Sequence, residues 1–134
     1  MRKLFILLFV LFSALMLTAC GGSVHHVRII ETPSVVYSDA DVRSAIDVAV
    51  RYFQREFDGC TLTEITYIGD DQNDGWQEFA ERHHAADVIV LVSSFDVDNS
   101  GGDGSINPNS TYRNWKWILV RSNGGPWKHV DHGY

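Results

Sequence analysis

The run YRNWKWILVRSNGGPWKHVDH, residues 112–132, decides how the chain ends and how the rest must be organised around it. Two strand-like stretches, Tyr112 to Arg121 and Pro126 to His132, flank Ser122, Asn123, Gly124 and Gly125. Asn-Gly tolerates positive φ at both central positions of a tight turn, so the pattern predicts an antiparallel hairpin. Side chains alternate across a strand, which puts Trp115, Trp117 and Leu119 on one face and Asn114, Lys116, Ile118 and Val120 on the other. Trp127 lies across the turn.

Upstream, Val97 to Ser110 is polar and glycine-rich and predicts a long loop. Before it, Asp87 to Asp96 holds Val88, Ile89, Val90, Leu91 and Val92 in unbroken sequence, the composition of a strand covered on both faces. A short helix is expected over Asp74–His84, capped by Asp74 with Gln77 three residues on, and with Trp76, Phe79, Ala80 and His83 sharing a face. Cys60 to Ile68, rich in Thr, Ile and Tyr, predicts a strand. Ser38 and Asp41 have capping-box spacing, and Asp39 to Phe57 then lays Val42, Ile46, Ala49, Phe53 and Phe57 along one stripe of an amphipathic helix. Val35 to Tyr37 adds a brief extended segment. The order helix, strand, helix, strand, strand, strand is an α+β plan with an antiparallel sheet at its end.

The N-terminus has a different character. Arg2 and Lys3 precede an apolar run from Leu4 to Leu17, which ends abruptly at Thr18, Ala19, Cys20 and Gly21. That is the anatomy of a signal peptide, and the run is shorter than the roughly twenty apolar residues a spanning helix needs. Residues 20–37 then read as a tether and 38–134 as one domain. The whole chain has a formal net charge of −6, and losing Arg2 and Lys3 makes the exported part more acidic still. With no Lys/Arg cluster to neutralise phosphates, nucleic acid is excluded and neutral or cationic partners are expected. Of two cysteines, committing Cys20 to lipid leaves Cys60 unpaired, so no intrachain disulfide is expected and Cys60 reads as a small buried hydrophobe.

The tetrad Leu17, Thr18, Ala19, Cys20 resembles the lipobox of bacterial lipoproteins. That resemblance implies cleavage before Cys20, a diacylglyceryl thioether on its sulfur and a place on the extracytoplasmic face of the cell membrane. The order of elements over Ser38 to Tyr134 resembles the NTF2-like superfamily, whose curved antiparallel sheet wraps an N-terminal helix into a cystatin-like cone. The run Trp115 to Arg121, then Gly125, Pro126, Trp127 and finally Asp131 to Tyr134, is similar to a group of uncharacterised lipoproteins of Gram-positive bacteria. The superfamily's apolar pocket hosts isomerases, dehydratases and pure binding proteins, so the likeness implies a pocket without choosing a reaction.

Three sets of residues are candidates for chemistry. Asp96, Asp98, Ser100 and Asp103 place oxygens at near-alternating positions with Gly101 sixth, as a calcium loop does, although the twelfth position is Asn107 rather than an acid; turn chemistry explains the same letters. No other cofactor is expected. Histidines pair at His25/His26, His83/His84 and His129/His132. His83 reads as a packed histidine beside Trp76 and Phe79. On a regular final strand His129 and Asp131 share a face and form a base with its orienter, while His132 turns away. Trp115, Trp117 and Trp127 can line a ligand pocket or pack the core. No phosphate loop, nucleophile elbow, metalloprotease motif or dinucleotide fingerprint occurs.

These readings converge on a membrane-tethered, non-catalytic domain that binds a small ligand or an envelope protein. The alternatives are a small isomerase, dehydratase or hydrolase using His129 and Asp131, or a structural accessory lipoprotein of the envelope.

Overall fold

The computed structural model describes residues 21–134. The leader and Cys20, on which the lipidation reading falls, lie outside the described residues. The elements are β1 (Arg28–Ile30), α1 (Asp39–Glu56), β2 (Cys60–Tyr67), α2 (Asp70–Asn73), a 3-10 turn (Asp74–Trp76), α3 (Gln77–Arg82), β3 (Asp87–Val97), β4 (Thr111–Arg121) and β5 (Lys128–Gly133). The fold is α+β: five strands form one mixed sheet in the order β1-β2-β3-β4-β5, with β1 parallel to β2 and every other pair antiparallel.

α1 forms where its pattern places it. The Ser38 hydroxyl accepts from the Asp41 backbone N–H at 3.1 Å, answering one of the orphan donors of the first turn. Its buried stripe, Val42, Ala45, Ile46, Ala49 and Phe53, packs on the sheet face carrying Ile65, Ile89, Leu91, Trp117 and Leu119. The opposite face carries Val88, Val90, Ile118 and Val120 and is covered by Ala80, Phe79 and Trp76. β3 thus buries both of its faces, the physical reason for its unbroken apolar run.

Five expectations are corrected. The stretch read as a free tether is built into the sheet, because Gly22 N–H donates to the Gln54 carbonyl at 3.0 Å, Ser23 exchanges backbone bonds with Cys60 and Leu62, and Arg28–Ile30 pairs with Glu64–Thr66. Glycine is required at this entry: a Cβ on Gly21 would sit 2.0 Å from the Gln54 carbonyl oxygen, and one on Gly22 2.6 Å from the Phe53 ring.

The second helix starts earlier than Asp74 and is broken. α2 ends at Asn73, whose buried amide donates to Val88 O at 3.0 Å and accepts from Val90 N–H at 2.8 Å. Asn73 thereby completes the β3 edge where β2 has stopped, and this tertiary demand overrides a continuous helix. His83 is exposed at the end of α3 rather than packed beneath Trp76 and Phe79.

The hairpin turn closes through Gly125 N–H to Ser122 O at 2.7 Å, with positive φ at Gly124 (+65°) but not at Asn123. That is the glycine requirement of a type II turn rather than the two positive φ angles of the expected type I′. Finally, β5 carries a register shift opposite Ile118 and Leu119: His129 lies opposite Leu119, and His132 opposite Trp117. The extra residue reverses the alternation, so His129 and His132 share the α1 face, and the expected His129 and Asp131 pairing on one face does not form.

Candidate functional site

Tyr52 and Glu56 stand one turn apart on α1, which puts them on one side of the helix, and Phe57 follows at its end. β4 adds Trp115, the β5 bulge adds His132, and the glycine-rich loop folds back with Gly102, Asp103, Ser105 and Ile106. Together with Asp58 and the buried Cys60 they enclose a cleft of about 420 Å³, half open to solvent. Its wall is aromatic. Phe57 meets Trp115 edge-on at 6.2 Å and His132 at 5.5 Å, and Trp115 stacks with His132 at 5.8 Å between centroids. Behind them Trp117 is fully buried, its Nε1–H donating to Ser93 Oγ at 2.8 Å.

Trp115 differs from Trp117 and Trp127: its Nε1–H is buried and has no hydrogen-bond partner among the described residues. An unpaired buried donor carries a desolvation penalty, which marks this corner as one where packing has not met every polar demand.

His132 Nδ1 and His129 Nε2 lie 3.1 Å apart with rings stacked at 5.1 Å, so one imidazole donates to the other. Tyr52 lies 4.1 Å from the His129 ring. Burial pushes His129 down to about 4, helped by the neighbouring His132, and burial lowers His132 as well. Both rings are neutral at pH 7. The Asp131 carboxylate accepts from the His132 backbone N–H at 2.8 Å and does not orient the His129 ring.

Charge on the cleft wall has one sign. Glu56, Asp58 and Asp103 line it, and among the described residues no Lys or Arg does. The basic side chains of this region, Arg51, Arg55 and Lys128, border a separate groove on the other side of Tyr52, together with His129. Burial raises the Cys60 thiol to about 11, with Asp98, Asp103 and Asp58 adding to the effect, so it is not a thiolate nucleophile at neutral pH.

The calcium candidates do not converge. Asp98 accepts from Ser100 N–H at 2.8 Å and Asp103 from Ser105 N–H at 2.9 Å, while Asp96 accepts from the Thr111 hydroxyl at 2.6 Å. These hydrogen bonds hold the Asp98 and Asp103 carboxyls below the usual range and are the turn chemistry of a loop. Among the described residues no group of three or more His, Cys, Asp or Glu side chains is placed to hold a metal ion.

No family model, curated protein or solved structure matches the chain. What the site does is therefore argued from its geometry. Of the three tryptophans singled out by sequence, only Trp115 borders this cleft, while Trp127 borders the basic groove, which has a similar volume. Trp117 has no surface to offer, and Trp127 is buried with its Nε1–H donating to the Asp41 carbonyl at 3.1 Å. Sequence reasoning missed Tyr52, Glu56, Phe57, Asp58 and Ile106 as wall residues. Tyr52 and Glu56 at helical spacing were the available signal, but only the folded loop shows what they face.

Proposed function

We propose that the chain is an extracytoplasmic lipoprotein, tethered to the cell membrane through lipid on Cys20, whose domain binds a small ligand and performs no reaction on it. The observation that carries the binding reading is the aromatic cleft formed by Phe57, Trp115 and His132 at the C-terminal end of α1. The volume is that of a small-molecule site, and the wall joins aromatic rings to a polar, acidic side. The acid–base alternative built on His129 and Asp131 draws no support from their placement, since the imidazole is engaged by His132 and the carboxylate by a backbone N–H.

The anchoring part of the reading draws on the leader and on how the chain enters the fold. Gly21–Ser23 is fastened beside Gln54 and Cys60, the same end of α1 as the cleft. A lipid on residue 20 would hold this end toward the bilayer with little slack. Among the described residues no helix is long and apolar enough to cross a membrane. An NTF2-like fold belongs to the same proposal. α1 packed on one face of four antiparallel strands supports it; the parallel β1 and the helical segment on the reverse face depart from it.

Two measurements test the proposal. Intact-mass analysis of protein from the membrane fraction should show a diacylglyceryl adduct that Cys20→Ser abolishes, and an unmodified Cys20 refutes the anchor. A thermal-shift screen of small molecules should give ligands whose stabilisation disappears in Trp115→Ala. Ligands that stabilise both proteins equally would place binding elsewhere.

A further inference from the structure

We propose that the cleft is a site for a small organic ammonium ion, held on the aromatic wall that Trp115 and Phe57 give it and countered by Glu56, Asp58 and Asp103. This deepens the binding reading above and rests on it.

Two independent properties of the wall lead to the same chemistry. The first is the rings. Aromatic faces carry negative potential and attract an ammonium group that enters within about 6 Å of a centroid, most strongly for indole. Phe57, Trp115 and His132 pack directly against one another and all border the cleft, so an amine resting on this wall meets one continuous aromatic surface. His132 is stacked on Trp115 and on His129, and burial lowers it from the ordinary imidazole range. A charged imidazolium there would repel a cation.

The second property is the sign of the surrounding charge. Among the described residues, three carboxylates and no Lys or Arg border the cleft. An anion would be repelled by them, and a wholly apolar ligand would strip water from carboxylates without giving anything in return. A bare metal ion is disfavoured for a different reason: Asp103 is engaged by Ser105, and the carboxylates do not gather around one point. An organic cation is large enough to contact the rings and diffuse enough in charge to be balanced by acids at the rim. The neighbouring groove with Arg51, Arg55 and Lys128 provides an internal control, since it has the opposite sign and should ignore the same probes.

The test is calorimetric titration of the lipidated protein in neutral detergent with choline, phenethylamine and agmatine, each beside a neutral analogue; for choline this is 3,3-dimethyl-1-butanol. At least one ammonium probe should bind about tenfold or more tightly than its neutral counterpart, and binding should weaken with added salt. Glu56→Gln and Asp103→Asn, both at exposed positions, should each weaken it several-fold without changing the melting temperature. Arg51→Gln should leave it unchanged. If neutral analogues bind as well as the ammonium probes, the cleft is an apolar site: the binding reading survives and the cation proposal falls. If none of the probes or analogues binds at tens of millimolar, both fall.

Discussion

The two ends of α1 are built from the same kinds of residue and finished in opposite ways. At the N-terminal end, Arg121 bridges Asp41 and Asp87 at 2.9 Å each, and its guanidinium lies 4.3 Å from the centre of the Trp127 ring. Trp127 donates to the Asp41 carbonyl, and Tyr37 meets Trp127 edge-on while its hydroxyl donates to Val88 O. Every polar atom named there has a partner, and the Arg121 side chain is only 13 % exposed. At the C-terminal end, Trp115 keeps an unpaired N–H, three carboxylates face no base, and a cleft remains between rings. The contrast teaches that aromatic and charged residues alone do not mark a site. What marks the open end is a cleft whose acidic lining has no base beside it among the described residues.

The largest effect should come from breaking the closed end. Trp127→Ala removes a buried indole and the surface under Arg121, and should cost about 3–5 kcal/mol in urea unfolding. Next, Arg121→Met leaves Asp41 and Asp87 unpaired. Because both carboxylates are about one-third exposed, water can recover part of the loss, and a cost of about 2 kcal/mol is expected. Arg121→Lys should recover only part of it, since an ammonium cannot bridge both acids in a planar fork.

A pH series separates the two ends without removing large side chains. His129 has a folded pKa of about 4 against an ordinary 6.5, so between these values the unfolded chain binds a proton that the folded one refuses. Its contribution is complete above pH 6.5, declines as pH falls toward about 4, and is flat below. Asp41, lowered chiefly by its hydrogen bond from Arg121, loses its contribution only below the ordinary carboxylate range near 3.8. His129→Phe should therefore lessen the fall of the urea midpoint between pH 6.5 and 4, with His132, also lowered by burial, keeping part of it, and should leave the loss at lower pH. The smallest effect is expected of Trp115→Phe, where a smaller ring loses packing but an unpaired donor disappears, for a net change within about 1 kcal/mol.

Much of the fold was legible because its signals are local. The Ser38 cap and the stripe from Val42 to Phe53 give α1 to within a residue, and the apolar run at Val88–Val92 and the Asn-Gly turn give β3 and the final hairpin. What stayed hidden depends on distant partners. β1 is three residues long and exists only because Glu64–Thr66 lies beside it. The early break at Asn73 answers bare groups on β3. The β5 bulge reverses which histidine faces α1, and nothing in HVDH announces it. Of the cleft, the sequence singled out Trp115, and Asp103 and His132 for other reasons, because its walls come from a helix end, a strand start and a loop that meet in three dimensions.

The indole N–H region of a ¹⁵N correlation spectrum reads both ends of α1 at once. On titration with the tightest ammonium probe, the Trp115 signal should move progressively while that of Trp127, locked to Asp41, stays in place. Equal movement of both signals, or movement at Trp127 alone, would contradict the division between a closed end and a receptive one.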